Sequence, residues 1–214
     1  MLYKDTVAGG TLELLTNLEA EPFLSLFSLA GGTALSLYIG HRRSVDLDLF
    51  SPEPFDVQEM RSLLEEKYNL LTDYTARNTL KGTIGGVKVD FITHSYPTLE
   101  PYYSEGKIRL YSLEDITAMK LSAISDNGTR LKDFVDIAFL STQFPFRSML
   151  GFYERKYPSS NPIRAYKVVT YFADIDFSED IMMLKGEFSW PVIRQRLEDM
   201  VRWQDRTFAT FPLE

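Results

Sequence analysis

Three aspartates and a Gly-Gly-Thr turn are the residues of this chain best suited to chemistry. Asp46 and Asp48 lie in Val45-Asp46-Leu47-Asp48-Leu49-Phe50, where apolar and acidic residues alternate as in a half-buried strand. Side chains two apart on a strand share a face, so the pair is expected to project together. Neighbouring carboxylates repel each other without a cation, and a site that keeps both ionised suits a hard divalent metal such as Mg²⁺ or Mn²⁺. Upstream, Gly31-Gly32-Thr33 ends a short apolar run and opens a helical segment. Glycines there let the backbone turn tightly and approach a ligand closely. The helix that follows points its N-terminal N–H groups at an anion. Thr33 either caps that helix or places its hydroxyl on a phosphate oxygen. Gly turn, helix and Asp-x-Asp strand, in that order, form a layout for a nucleoside triphosphate with its metal.

The elements that must position these residues follow from periodicity and turn chemistry. Residues 1–26 read as helical, with apolar positions from Thr11 to Leu18 near a 3.6 period. Phe27 to Ala30 reads as the first strand and Ala34 to Ile39 as the first helix of the core. After the turn Ser51-Pro52-Glu53-Pro54, Asp56 can cap a helix reaching about Lys67. Strand-like runs at 70–77 and 79–84 precede Gly85-Gly86, a two-residue hairpin turn, and the return strand from Val87 to Thr93. Asp90 lies on that strand between Val89 and Phe91, which point to the opposite face, so Asp90 sits on a polar face or in a site. A Pro-, Tyr- and Glu-rich loop leads to a short last strand, Ile108 to Leu110.

Leu113 to Ser125 is predicted to be a helix, with Glu114 and Asp115 complementing its dipole. Lys120 lies beside its buried face, where an ordinary snorkelling lysine would also lie. Arg130 to Leu140 is a second helix. Asp133 and Asp136 are neighbours on one of its faces, beside the apolar stripe of Phe134, Ile137 and Ala138. That pair is either a solvated acidic face or a support for the site behind its direct ligands. Beyond Phe144-Pro145-Phe146 the chain reads as helices broken at Pro158 and Pro162, an irregular acidic stretch over 174–188, and a final helix from about Pro191 to Phe208. The aromatics of this part, Trp190 and Trp203 among them, read as core. Two regions are expected: a core over residues 1–140 and a helical region over residues 141–214.

Composition narrows the class. The 214 residues are 44% hydrophobic and 25% charged, as in an ordinary globular chain. No apolar run approaches the roughly 18 residues of a membrane span. There is no cysteine, which excludes disulfides and thiolate–metal sites. The first residues, MLYKDTVAGG, lack the apolar centre of a signal peptide, and a cytoplasmic location is expected. A net charge of −7 argues against broad, non-specific nucleic-acid binding. A local basic cleft is still available from His41-Arg42-Arg43, Lys81, Lys88, Lys120, Arg130 and Lys132.

The glycine pair, the helix-length gap and Asp46-x-Asp48 resemble the first motif of the polymerase-beta-type nucleotidyltransferase superfamily. The fuller string GGTALSLYIGHRRSVDLDLF is similar to the AbiEii/AbiGii-type nucleotidyltransferase toxins, the killing component of type IV toxin–antitoxin pairs. Val87 to Ile92 resembles the strand that carries the third carboxylate. Leu113 to Leu140 resembles the Lys-bearing helix and the Lys-Asp-x-x-Asp helix of that group. The likeness covers Phe27 to Leu140; Thr33 stands where many members carry Ser.

The resemblance implies an α/β (α+β) fold: a polymerase-beta-like nucleotidyltransferase core with a mixed sheet, plus a helical C-terminal region. It implies Mg²⁺-dependent transfer of a nucleoside monophosphate from a nucleoside triphosphate to an acceptor, often the 3′ end of a tRNA, with a cognate antitoxin as partner. Asp46, Asp48 and Asp90 would bind the metals. Gly31, Gly32 and Thr33 would hold phosphate, and Lys120 with Arg42 or Arg43 would offset triphosphate charge. Two other readings share the first motif: a small-molecule enzyme of the aminoglycoside-modifying kind, and a non-catalytic nucleotide-binding regulator. The three intact aspartates weigh against the regulator.

Overall fold

The computed structural model describes all residues, 1–214. The chain forms two compact units. One comprises Met1–Gly40, Ser44–Pro97 and Pro101–Ser112; the other comprises His41–Arg43, Thr98–Glu100 and Leu113–Glu214.

The first unit is built on one mixed sheet of seven strands. These are β1 (Ser28–Leu29), β2 (Leu47–Ser51), β3 (Leu71–Ala76), β4 (Thr79–Ile84), β5 (Val87–Thr93), β6 (Tyr103–Glu105) and β7 (Ile108–Leu110). Their order is β3-β4-β5-β2-β1-β7-β6. β2 runs parallel to β5 and β1 to β7, and the other pairs are antiparallel. Alternation decides the two faces. Leu47, Leu49, Leu80, Ile84, Val89 and Phe91 are buried on one side, each contributing about 1.5–3 kcal/mol when fully buried. Asp48, Lys81 and Asp90 therefore occupy the other.

Three helices belong to this unit: α1 (Gly9–Leu18), α2 (Gly31–Ile39) and α3 (Val57–Tyr68). The Asp56 carboxylate caps α3, accepting from the N–H groups of Gln58 and Glu59 at 2.8 and 3.0 Å. The β4–β5 hairpin turns at Gly85 and Gly86 with φ of +56° and +85°, a left-handed pair that glycine adopts freely. Just past α1, the buried Glu19 carboxylate accepts from Leu29 N–H at the end of β1 (3.2 Å) and from Arg109 N–H in β7 (2.6 Å). Burial pushes its pKa up to about 7, against the downward pull of Arg109 and of these backbone bonds.

The expected helical stretch over residues 1–26 is broken. Only α1 is α-helical, flanked by 3-10 turns at Lys4–Thr6 and Pro22–Leu24. Pro22 bars its predecessor from the helical region, and Glu21 is extended. β6 lies inside the expected loop; Gly106, at φ +65°, reverses the chain between β6 and β7.

The second unit holds α4 (Leu113–Asp126), α5 (Leu131–Leu140), α6 (Phe146–Lys156), α7 (Pro162–Val168) and α8 (Trp190–Arg202). α4 packs against α5, α6 and α7, and α5 against α8. α5 is buried on nearly every side, from Leu131 through Leu140, as a central helix must be. By contacts, α4 and α5 thus group with the C-terminal helices, and residue 140 lies inside this unit. The final helix ends at Arg202, short of the expected Phe208, and Phe208 N–H instead donates to the Ser141 carbonyl at 2.9 Å. No helix of the chain is long and apolar enough to cross a membrane.

Candidate active site

Asp48 and Asp90 are register partners on the parallel strands β2 and β5, about 4.8 Å apart between strands. The same row continues outward. Lys81 on β4 pairs with Asp90, and Tyr74 on β3 pairs with Lys81. The Lys81 ammonium forms an ion pair with Asp90 Oδ2. Both aspartates are half-buried, so their charges are less screened than on an open surface.

Asp46 is placed differently from the expectation. β2 begins at Leu47, and Asp46 is exposed just ahead of it. The segment before the strand is fastened by α2 instead: Thr33 Oγ1 donates to the Asp46 carbonyl at 2.5 Å and lies 2.8 Å from Ser44 Oγ. Thr33 does not cap α2, whose N-cap Ala30 also carries no capping side chain. The start of the helix carries the positive end of its dipole, which favours an anion there.

Helix α2 starts at Gly31 itself, not after it as read from the sequence. Gly31 has φ +68°, and a Cβ there would collide with Asp48 Oδ2. Its missing side chain is what lets the Asp48 carboxylate lie against the helix start. The donor set is all carboxylate oxygen, the chemistry of a hard cation. Asp48 and Asp90 share a face, Asp46 lies ahead of the strand, and no group of three metal-ligating side chains is gathered in this structure.

The second unit collects most of the other sequence candidates into a buried charge network. Arg42 grips Asp136 through two bonds, Nε to Oδ1 at 2.7 Å and Nη2 to Oδ2 at 2.9 Å. Lys120 Nζ lies 2.6 Å from Asp133 Oδ1 and 2.7 Å from Asp136 Oδ2. His41 Nε2 lies 2.8 Å from Asp136 Oδ1. All five residues are buried. Burial pushes the Asp136 carboxyl up, yet Arg42, Lys120 and the bonds from His41 outweigh it and hold the group well below its ordinary range. An ionised carboxylate only accepts, so His41 Nε2 carries the hydrogen; burial lowers the ring's pKa and keeps it neutral.

This arrangement departs from the sequence picture in three respects. Asp133 and Asp136 are interior, so of the two readings given for them the solvated face does not hold. Lys120 is 5% exposed and does not snorkel. The charges of Lys120 and Arg42 are met by carboxylates here, because a buried ion must be paired to be tolerated. Arg43 alone of the basic cluster is exposed; its N–H donates to the Met182 carbonyl, as Leu184 N–H does to His41.

Sequence reasoning also missed a second buried pair, Lys156 and Asp115 at 2.6 Å. Asp115 accepts from Leu99 N–H as well, so it is more than a dipole partner. A charged residue at an apolar-face position of a helix was the available clue in both cases.

A glycine-opened helix set against in-register strand carboxylates, on a mixed sheet, is the frame of a nucleotidyltransferase. The family model described as "Nucleotidyl transferase AbiEii toxin, Type IV TA system" matches residues 13–200, and the chain belongs to that family. It is 32% identical over 154 residues to the uncharacterized protein aq_aa25 of Aquifex aeolicus (strain VF5), covering 69% of this chain and 74% of that one. Its fold is similar to the crystal structure of JHP933 from Helicobacter pylori, with a TM-score of 0.52 and 17% identity over 92% of each chain. A candidate nucleotidyltransferase from H. pylori aligns with a TM-score of 0.53 and 17% identity, over 91% of this chain and 94% of the other.

Proposed function

We propose that this nucleotidyltransferase uses Mg²⁺ to transfer a nucleoside monophosphate from a nucleoside triphosphate to RNA, a tRNA 3′ end in particular. In this reading it is the toxin of a type IV toxin–antitoxin pair, acting in the cytoplasm and held in check by a cognate antitoxin. The observation that carries the chemistry is the Asp48–Asp90 register beside the uncapped start of α2. The Asp48 carboxylate lies against the helix start and Asp90 stands in register beside it, which suits a triphosphate and its counter-ion together.

Asp46, Asp48 and Asp90 would hold the divalent cation. When bound, it supplies activation of the acceptor oxygen and neutralisation of the leaving pyrophosphate. The N–H groups of Gly31 and Gly32 bind phosphate, and the absent Cβ of Gly31 keeps Asp48 against them. Thr33 fixes the backbone that presents Asp46. Lys81 orients Asp90 and lowers the repulsion between the two strand carboxylates. Attack by the acceptor hydroxyl at the α-phosphorus forms the new P–O bond, gives up the hydroxyl proton to water and breaks the bond to the oxygen bridging the α- and β-phosphates. Pyrophosphate departs with that electron pair. Lys120 and Arg42 or Arg43 enter this reading, for triphosphate charge, through the family pattern.

The test is purified protein with Mg²⁺, each α-labelled triphosphate and total RNA, resolved on a gel. Label entering an RNA band, and lost in Asp48→Ala, supports the reading. Label passing only to a small hydroxylated acceptor would reassign the chain to the aminoglycoside-modifying class. Tight triphosphate binding without turnover would make it a regulator.

A further inference from the structure

We propose that the groove formed by the start of α6 and the end of α8 binds a single-stranded stretch of the RNA acceptor. Trp203 would stack a base, and Arg147, Arg202 and Arg206 would meet its phosphates. The inference rests on the RNA reading above and adds to it a place on the second unit.

The groove has a volume of about 550 Å³ and is lined by Arg147, Arg202, Trp203, Gln204, Asp205 and Arg206. That is room for a nucleotide-sized ligand. Trp203, expected to be core, is 43% exposed. It follows the last residue of α8, where the chain leaves the helix and its ring is no longer carried on a packed face. The guanidiniums of Arg202 and Arg206 lie 5.7 and 5.5 Å from its ring centre. Arg206 also lies 4.9 Å from the Phe208 ring, and Arg196 covers Phe208 at 4.3 Å. Arg206 thus bridges the exposed Trp203 and the buried Phe208 ring beneath it. Arg147 is held at the groove by Asp205, at 2.5 and 3.1 Å.

Charge and geometry select the partner. With Arg147 paired to Asp205, the exposed Arg202 and Arg206 carry the groove's remaining positive charge, in a chain whose net charge is −7. The positive potential is thus local and aimed at an anion. Every cation is arginine, whose planar fork matches phosphate and whose face stacks on bases. An exposed indole flanked by such planes is the platform that unpaired bases use. A duplex offers no base face to it, and an acidic peptide has no ring to stack.

The test uses the full chain and a fluorescein-labelled twelve-nucleotide single-stranded RNA, followed by anisotropy at two salt concentrations. Trp203→Ala should weaken binding about tenfold, and Trp203→Phe should restore most of it. Arg202→Ser with Arg206→Ser should weaken it as much and flatten the salt dependence by about 0.7 in slope per lost phosphate contact. In a Trp190→Phe background, RNA should quench Trp203 emission. RNA binding that is equal in wild type and all variants would overturn the groove and leave the RNA reading standing. No RNA binding by the wild type, with transfer only to small acceptors, would overturn both. Oligoglutamate of equal length that displaces the RNA and perturbs Trp203 equally well would assign the groove to an acidic protein and overturn the proposal. Thermal midpoints of the variants, compared with Trp203→Phe, separate lost binding from lost folding.

Discussion

Asp90 has an oppositely charged partner on one side and a like-charged one on the other: Lys81 on β4 and Asp48 on β2, each in direct register with it. The row is set by strand pairing and does not depend on the sequence distance between its members. A cation that binds Asp48 and Asp90 therefore enters a site already half-neutralised by Lys81.

Metal and triphosphate together should raise the thermal midpoint of the wild type, since a ligand present at about 100 times its Kd stabilises the folded state by about 2.7 kcal/mol. Asp48→Asn and Asp90→Asn should each abolish that joint shift with the unliganded midpoint little changed. A shift that survives in both variants would place the metal elsewhere. Thermal scans with and without Mg²⁺ decide it.

Gly31→Ala is expected to act on turnover more than on folding. The left-handed φ penalises a Cβ by roughly 1–2 kcal/mol, and the methyl displaces the Asp48 carboxylate it would strike. Misplacement of a reacting group by about 1 Å can reduce rate by about 10²-fold. Turnover that stays near wild type, in folded protein, would show that the close approach is unimportant.

The buried network makes Asp136 a stability residue. Asp136→Ala leaves the charge of Arg42 and half the pairing of Lys120 unanswered in the interior, with an expected loss of about 3–5 kcal/mol. Lys120→Ala, which strands Asp133 beside Asp136, should be similarly harmful. Urea midpoints measure both, and a loss below about 1 kcal/mol would mean that the network is open to water. Because Asp136 is held below its ordinary pKa, the stability it contributes is present at neutral pH and disappears as pH falls below about 4.

Glu19 has the opposite sign. Its carboxyl is raised from 4.5 to about 7 in the folded chain, so the folded state holds the proton more tightly than the unfolded state. Stability should be greatest below about pH 4.5 for this group and fall as pH rises through 7, by up to about 3 kcal/mol. Glu19→Gln should flatten the profile between pH 5 and 7. Denaturant midpoints across that range, with the variant as reference, test the assignment; a wild-type profile equally flat would refute it.

Periodicity and turn chemistry by themselves determined the order of elements from β1 to β5, the helices α4 and α5, the Asp56 cap, the Gly85-Gly86 hairpin and the acidic face that carries Asp48 and Asp90. Each depends on interactions within a few residues, which a linear sequence displays directly. Tertiary structure alone decided the rest. Whether Asp46 joined the strand depended on Thr33, which pulls its carbonyl toward α2. Whether Asp133, Asp136, Asp115 and Lys120 were wet or buried depended on which helices covered them. Polar residues look alike in sequence whether solvent or a distant opposite charge satisfies them, and here the partners lie far along the chain: Arg42 for Asp136, Lys156 for Asp115. Burial of a charge is decided by its partner, and the partner is found only when the chain folds.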